Sequence, residues 1–348
     1  MSRRQLTVLC LIRDKLAGTW AAFADCLITS DEFDEGQALV TPNRLYQDER
    51  TTHGFAEVRL EEKLGLLNET CLFGWENSRQ EASNLIREIR SVGVDTFDFS
   101  TLTGRSFENS FLIISRKPGS TESIIRLFSN HDRSSFFEND RFTVHASGSG
   151  KDLVDKLQFT SKGGGVQALT SQQDIAQAAL TLLVKYLSEE LGGRNSQYYS
   201  RRTGGWYSLF LPVQDGFFQY RFGFNHWALE NQEQPVVTHI VLPWVQDGIN
   251  CAVTFRVHDN WKLEYLYAIA VAPLLNSTER SRRLSIEPLD VLLNYESETT
   301  FHYCWKQESH GCFAVPISEP RFQFDGKLIS KLPHAEHTYS LVSQFFER

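Results

Sequence analysis

The sequence predicts an α+β fold: antiparallel sheets with helices packed outside them, followed by a β-rich C-terminal region. Three observations carry this. Apolar runs that read as strands come in clusters, at 7–12, 19–29, 56–65 and 69–74, and again at 110–116, 123–128 and 141–146. Two stretches of helical apolar spacing punctuate these clusters, one through Ala82, Leu85, Ile86 and Ile89, the other from Ile175 to Leu187. Beyond His226 strand-like runs dominate, at 236–242, 249–257, 262–271 and 301–305. Strand clusters separated by helices favour antiparallel sheets over a parallel one.

Each element has its own signals. Asp14 to Gly18 reads as the turn of a hairpin between the first two strands. Residues 30–57 are acidic and polar and read as an extended excursion. Asn77 and Ser78 precede the first helix, and Gly93 ends it. Lys117-Pro-Gly-Ser120 is a turn sequence, and Ser147-Gly-Ser-Gly150 leads into a helix from about Lys151. Ser171-Gln-Gln-Asp174 resembles a capping box for the long helix that Gly192-Gly193 closes. Gln214-Asp-Gly216 joins two aromatic strands, 206–213 and 217–224.

The chain of 348 residues suits two units, which we expect at 1–230 and 231–348. Its 41% hydrophobic and 22% charged residues are ordinary for a globular protein. With 35 Lys+Arg against 43 Asp+Glu, the net charge of -8 argues against a nucleic-acid binder, which needs a basic surface. Six cysteines are too sparse for a disulfide scaffold. The apolar run Leu6–Ile12 is cut by Arg13, Asp14 and Lys15, so no signal peptide or membrane span is expected, and the cytoplasm, of a bacterium, is the expected compartment.

Several motifs occur in a telling order. Gly18-Thr-Trp-Ala-Ala-Phe-Ala-Asp25 is followed by Thr29. Asn68-Glu-Thr-Cys-Leu-Phe-Gly74 precedes the first helix, Ser147-Gly-Ser-Gly150 precedes a second, and Thr203-Gly-Gly205 opens a strand. Taken together over residues 7–225, they resemble the proteasome β-subunit-like family of N-terminal-nucleophile (Ntn) hydrolases. The resemblance implies a four-layer α-β-β-α sandwich, assembly into homo-oligomeric rings, and cleavage of peptide bonds by an N-terminal threonine. It implies no cofactor and no metal.

The chemistry explains the residue types. A free α-amine on the nucleophile serves as the base, since its ordinary pKa lies near neutrality. A lysine paired with an aspartate tunes the proton transfer, and backbone N–H groups hold the oxyanion. Carried over by motif, the resemblance implies Thr7 as nucleophile, Asp25 as the aspartate, Lys63 as the lysine, and Ser149, Ser200 and Thr203 as supporting residues. Cys10 is an alternative nucleophile, and Arg59 beside Leu60 an alternative to Lys63. The family carries an aspartate where this chain has Ser200. That missing charge leads us to expect a slow or inactive peptidase that keeps residues 1–6, with a non-catalytic ring or scaffold subunit as the alternative role and a small-molecule amidase as a third.

Two other motifs bear on function. Lys151 after a Gly-Ser-Gly turn is no phosphate loop, because His145 stands at the first glycine and Asp152 replaces the Ser or Thr. His302-Tyr-Cys304 and His310-Gly-Cys312 would supply four zinc ligands if a hairpin near Gln307 turned all four to one side, although two strands with ordinary His and Cys are the simpler reading.

Overall fold

The computed structural model describes residues 7–30, 56–116, 120, 122–128, 134–148, 150–151, 154, 169, 172–191, 206–230, 234–258, 262–274, 285–294, 298–306, 309–316, 323–324, 328–329 and 335–347. Three sheets dominate them. The first is six-stranded and antiparallel throughout. Its centre is the hairpin of β1 (Val8–Asp14) and β2 (Thr19–Asp25). Beyond β1 lie β10 (Phe142–Gly148) and β9 (Ser134–Glu138), and beyond β2 lie β11 (Tyr207–Val213) and β12 (Gly216–Tyr220). The hairpin closes because Asp14 Oδ1 accepts the N–H groups of Leu16 and Ala17 at 2.9 and 3.0 Å, while Gly18 takes φ 64°.

The second sheet is four-stranded: β5 (Leu64–Asn68), β6 (Cys71–Glu76), β7 (Ser110–Arg116) and β8 (Ser123–Phe128), in that order. It stacks on the first sheet. Leu9, Leu11, Trp20, Ala22 and Ala24 from one side meet Leu64, Leu72, Leu112 and Ile114 from the other in a single buried layer. Strand alternation produces this, since every second residue faces the same way. The outer face of the second sheet buries Phe73, Trp75 and Phe111 under helix α1 (Arg79–Val92), through Ala82, Leu85, Ile86 and Ile89. Ser78 caps α1 by accepting the Glu81 N–H, and Gly93 ends it at φ 97°.

The third sheet has eight strands in the order β18 (Ser309–Pro316), β17 (Thr299–Lys306), β13 (Phe222–Glu230), β14 (Gln234–Gln246), β15 (Ile249–His258), β16 (Lys262–Ala272), β4 (Ala56–Glu61) and β3 (Leu27–Ser30). It is mixed, with parallel pairing of β13 to β17 and of β16 to β4. It draws strands from both sides of residue 230. Between it and the first sheet lies helix α2 (Ile175–Leu191), whose stripe Ala178, Ala179, Leu182, Leu183, Tyr186 and Leu187 is wholly buried. A reciprocal cap of α2 forms at Asp174, whose Oδ1 accepts the Gln177 N–H at 2.8 Å while Gln177 Oε1 accepts the Asp174 N–H at 3.2 Å; Ser171 lies outside the described residues. The far face of the third sheet buries Ile240, Leu242 and Val253 under helices α3 (Pro288–Leu293) and α4 (Ala335–Glu347).

The chain therefore does not form the four-layer α-β-β-α sandwich that the resemblance implies. Strands dominate the described residues, and an eight-stranded sheet with one enclosed helix stands where the second helical layer was expected. The physical reason lies in 222–316. Neighbouring residues there are apolar on both strand faces: Val241 and Ala252 join the core under the first sheet, while Ile240 and Val253 join the outer one. Such a sheet must be covered on both sides, and one of its covers is the first sheet. Two predicted strands also divide. The run 19–29 breaks after Asp25, and 56–65 breaks at Glu62 and Lys63, so each half joins a different sheet. Among the described residues no helix is long and apolar enough to cross a membrane.

Candidate active site

The start of β1, the end of β2 and the end of β10 meet at one end of the first sheet. Asp25 is the last residue of β2, opposite Tyr207 of β11. One of its oxygens, Oδ1, accepts the Val8 N–H at 2.8 Å. The other, Oδ2, accepts from Lys63 Nζ at 3.0 Å. Both side chains are enclosed, at 0% and 1% exposure, so the ion pair is shut off from water. A charged pair survives there only with its hydrogen bonds made, which the Val8 N–H and the ammonium supply.

Lys63 occupies the break between β4 and β5. Its carbonyl accepts the Trp75 N–H at 2.9 Å, which ties the break to β6. This break is what turns the side chain toward Asp25. Leu60, three residues earlier, is buried in the apolar core and cannot serve as the cation. The Arg59 side chain lies outside the described residues.

Thr7 directly precedes β1 and is 0% exposed. Its Oγ1 is buried and has no hydrogen-bond partner among the described residues. Its carbonyl is the other half of the peptide whose N–H, on Val8, reaches Asp25. On its far side sits Gly148, at φ 64°; a Cβ there would lie 1.9 Å from the Thr7 carbonyl oxygen and 2.9 Å from Glu76 Cγ. The Gly-Ser-Gly motif thus has a steric role at its first glycine, which allows Thr7 to lie against the end of β10. Ser149, Ser200 and Thr203 lie outside the described residues. Ser147, two residues before Ser149, is 0% exposed, and its Oγ is buried with no hydrogen-bond partner among the described residues.

Gly74 also reads differently in place. A Cβ there would meet Leu9 Cδ1 at 2.8 Å and Leu64 Cδ1 at 3.0 Å, so this glycine serves close packing between the two sheets. The unusual backbone comes three residues later. Asn77, between β6 and α1, has φ 84°, which costs a non-glycine residue but suits asparagine best. Its Nδ2 donates to the Glu108 carbonyl at 3.2 Å, and Asn109 Oδ1 accepts the Ser78 N–H at 2.7 Å. Nearby, Arg79 Nε donates to both carboxylate oxygens of Glu61, at 3.0 and 2.9 Å.

Cys10 loses its place as alternative nucleophile. It points into the apolar core with Phe23 and Ala146, and burial pushes its thiol far above the usual range, so the reactive thiolate is suppressed. The four-ligand zinc arrangement is also corrected. The hairpin of β17 and β18 forms, but its register sets Cys304 opposite Gly311 and His302 opposite Phe313, whereas Cys312 lies opposite Tyr303 and His310 opposite Trp305. Residues opposite one another share a face, so His302 and Cys304 sit on one face and Cys312 on the other, while the His310 side chain lies outside the described residues. His302 is instead structural: its Nδ1 accepts the Trp227 Nε1–H at 3.0 Å, its ring stacks on Phe313, and burial lowers its pKa to about 3. No cluster of three or more metal-binding side chains occurs among the described residues.

The residues brought together are thus Thr7, Asp25 and Lys63, from three separate segments. Glu76 was missed by sequence reasoning. The signal for Glu76 was present: it extends the alternation Leu72, Gly74, Glu76 with a charge where an apolar residue is expected. Chemically, a buried ammonium held by an aspartate lowers the pKa of a neighbouring hydroxyl or amine, which is how such a nucleophile is activated. No family model matches this chain, and no curated protein does.

Proposed function

We propose that the chain is an amide-bond hydrolase that uses Thr7 as an N-terminal nucleophile once residues 1–6 have been removed, acting on peptide substrates as its resemblance to the proteasome β-subunit-like family implies. The observation that carries this is the buried Lys63–Asp25 pair, bonded through Asp25 to the Val8 N–H beside Thr7. An apolar pair at this spot would stabilise the fold at least as well, so the charges ask for a role beyond packing. In the reaction, the freed α-amine of Thr7 takes the hydroxyl proton as Oγ1 attacks the carbonyl carbon. The same proton then passes to the leaving nitrogen, and water releases the acyl group from Thr7.

A second reading is a non-catalytic subunit. The complete burial of Thr7 favours it, since a nucleophile with no access to solvent meets no substrate. Intact mass with N-terminal sequencing, combined with hydrolysis of a fluorogenic peptide amide, separates the two. A chain that starts at Thr7 and cleaves the amide supports the hydrolase; a chain that keeps residues 1–6 and stays inert supports the second reading. A homo-oligomer belongs to either reading. Because the apolar stripe of α2 is buried within the chain, subunits must meet through other surfaces.

A further inference from the structure

The chemistry above leaves one buried acid unused at the Thr7 end. Glu76 is the last residue of β6 and is 0% exposed. Leu72, four residues earlier on the same strand, belongs to the layer between the two sheets, and a Cβ at Gly74 would point at Leu9 and Leu112 there. Alternation places Glu76 on that same face, one step further toward Thr7. Gly148 confirms the approach: the point where its Cβ would stand is 2.9 Å from Glu76 Cγ and 1.9 Å from the Thr7 carbonyl oxygen. Directly across β7 is Ser110, also 0% exposed, whose Oγ has no hydrogen-bond partner among the described residues.

We propose that Glu76 is a positioning residue for Thr7: after residues 1–6 are removed, its carboxylate holds the new α-amino group and supplies the negative charge that Ser200 lacks. This rests on the reading of Thr7 as nucleophile. The charged groups shown at this end are Asp25, bonded to the Val8 N–H, and Lys63, bonded to Asp25, from β2 and the β4–β5 break; Glu61 of β4 and Arg79 of α1 are paired with each other. β7 contributes Ser110 and β10 contributes Ser147, both uncharged, with His145 further along β10. When the amine takes the Thr7 hydroxyl proton it becomes an ammonium, and Glu76 stabilises that charge. A neighbouring carboxylate favours the ammonium and so raises the pKa of the amine, opposing Lys63. Removing the carboxylate lowers that pKa, so the neutral base persists to lower pH.

The test uses the full-length chain carrying Glu76→Gln or Glu76→Asp, with start residue by intact mass, melting temperature, and the pH profile of kcat/KM on a fluorogenic peptide amide. Glu76→Gln is expected to start at Thr7, to move the acid limb about one unit toward lower pH, and to lower the plateau about tenfold. Glu76→Asp, which keeps the charge, is expected to restore most of both. A folded, processed Glu76→Gln chain with the wild-type limb and plateau overturns the role of Glu76 and leaves Thr7 standing. If Glu76→Gln does not fold, the smaller Glu76→Ser, which also removes the charge, is measured in its place, and a wild-type limb and plateau in it overturn the role equally. A wild-type chain that neither processes nor cleaves overturns Thr7 as nucleophile and this inference with it.

Discussion

Lys63 Nζ lies 3.0 Å from Asp25 Oδ2, and neither side chain reaches solvent. The pair links the hairpin of the first sheet to the break that leads into the second. Removing one partner leaves a buried charge alone. Lys63→Met is therefore expected to cost about 3–5 kcal/mol of folding stability. Asp25→Asn keeps an acceptor for the Val8 N–H and is expected to cost less. Urea unfolding at neutral pH measures both, and a loss below about 1 kcal/mol for Lys63→Met would show that the pair is not closed to water as described.

Gly18 and Gly148 share the same φ of 64° but not the same surroundings. Nothing lies near a Cβ at Gly18, whereas one at Gly148 would strike the Thr7 carbonyl. Gly18→Ala is expected to cost only the backbone term of about 1 kcal/mol. Gly148→Ala is expected to cost clearly more and to remove any Thr7-dependent activity. Equal losses in melting experiments would contradict the close approach of Thr7 to β10.

His302 gives the expected pH response. Burial holds its folded pKa at about 3, well below the usual value of 6.5. A depressed histidine favours folding while neutral, so its contribution is full above about pH 6.5 and is lost as pH falls toward 3. Stability should decline across that window less steeply in His302→Gln than in the wild type. His239, lowered to about 4 by burial and then by Arg256, adds to the slope that remains. The same variant should also lose about 1–3 kcal/mol at pH 7, because the Trp227 indole N–H loses its acceptor. Parallel pH slopes for the two proteins would contradict the buried neutral imidazole.

Much of the first two sheets was legible in the sequence. The hairpin through Asp14 and Gly18, the strand ending at Asp25, and α1 with Ser78 and Gly93 at its ends all depend on local signals, and local signals survive in the fold. The candidate site was partly legible too: Thr7 and Asp25 were placed by motif, the count for the lysine fell close to Leu60 with Lys63 three residues on, and it is Lys63 that meets Asp25. What was not legible depends on partners distant in sequence. That Leu27–Ser30 and Ala56–Glu61 leave their neighbours to join strands beyond residue 230 follows from long-range pairing, which no local pattern encodes. The four-ligand zinc arrangement, which the sequence ranked below two strands with ordinary His and Cys, needed one shared face, and the register puts Cys312 on the face opposite His302 and Cys304. The second helical layer failed because a resemblance over residues 7–225 says nothing about the sheet that residues beyond it complete.

The account turns on whether Thr7 becomes a chain start. The most direct measurement is the intact mass, with N-terminal sequencing, of purified wild-type protein and of Thr7→Ala, each assayed on a fluorogenic peptide amide. Against the expectation drawn from the missing charge at Ser200, wild-type chains should begin at Thr7 and cleave the amide, and Thr7→Ala chains should keep residues 1–6 and not cleave it. Robust cleavage by wild-type chains that still carry Ser2, or equal cleavage by Thr7→Ala, would contradict it.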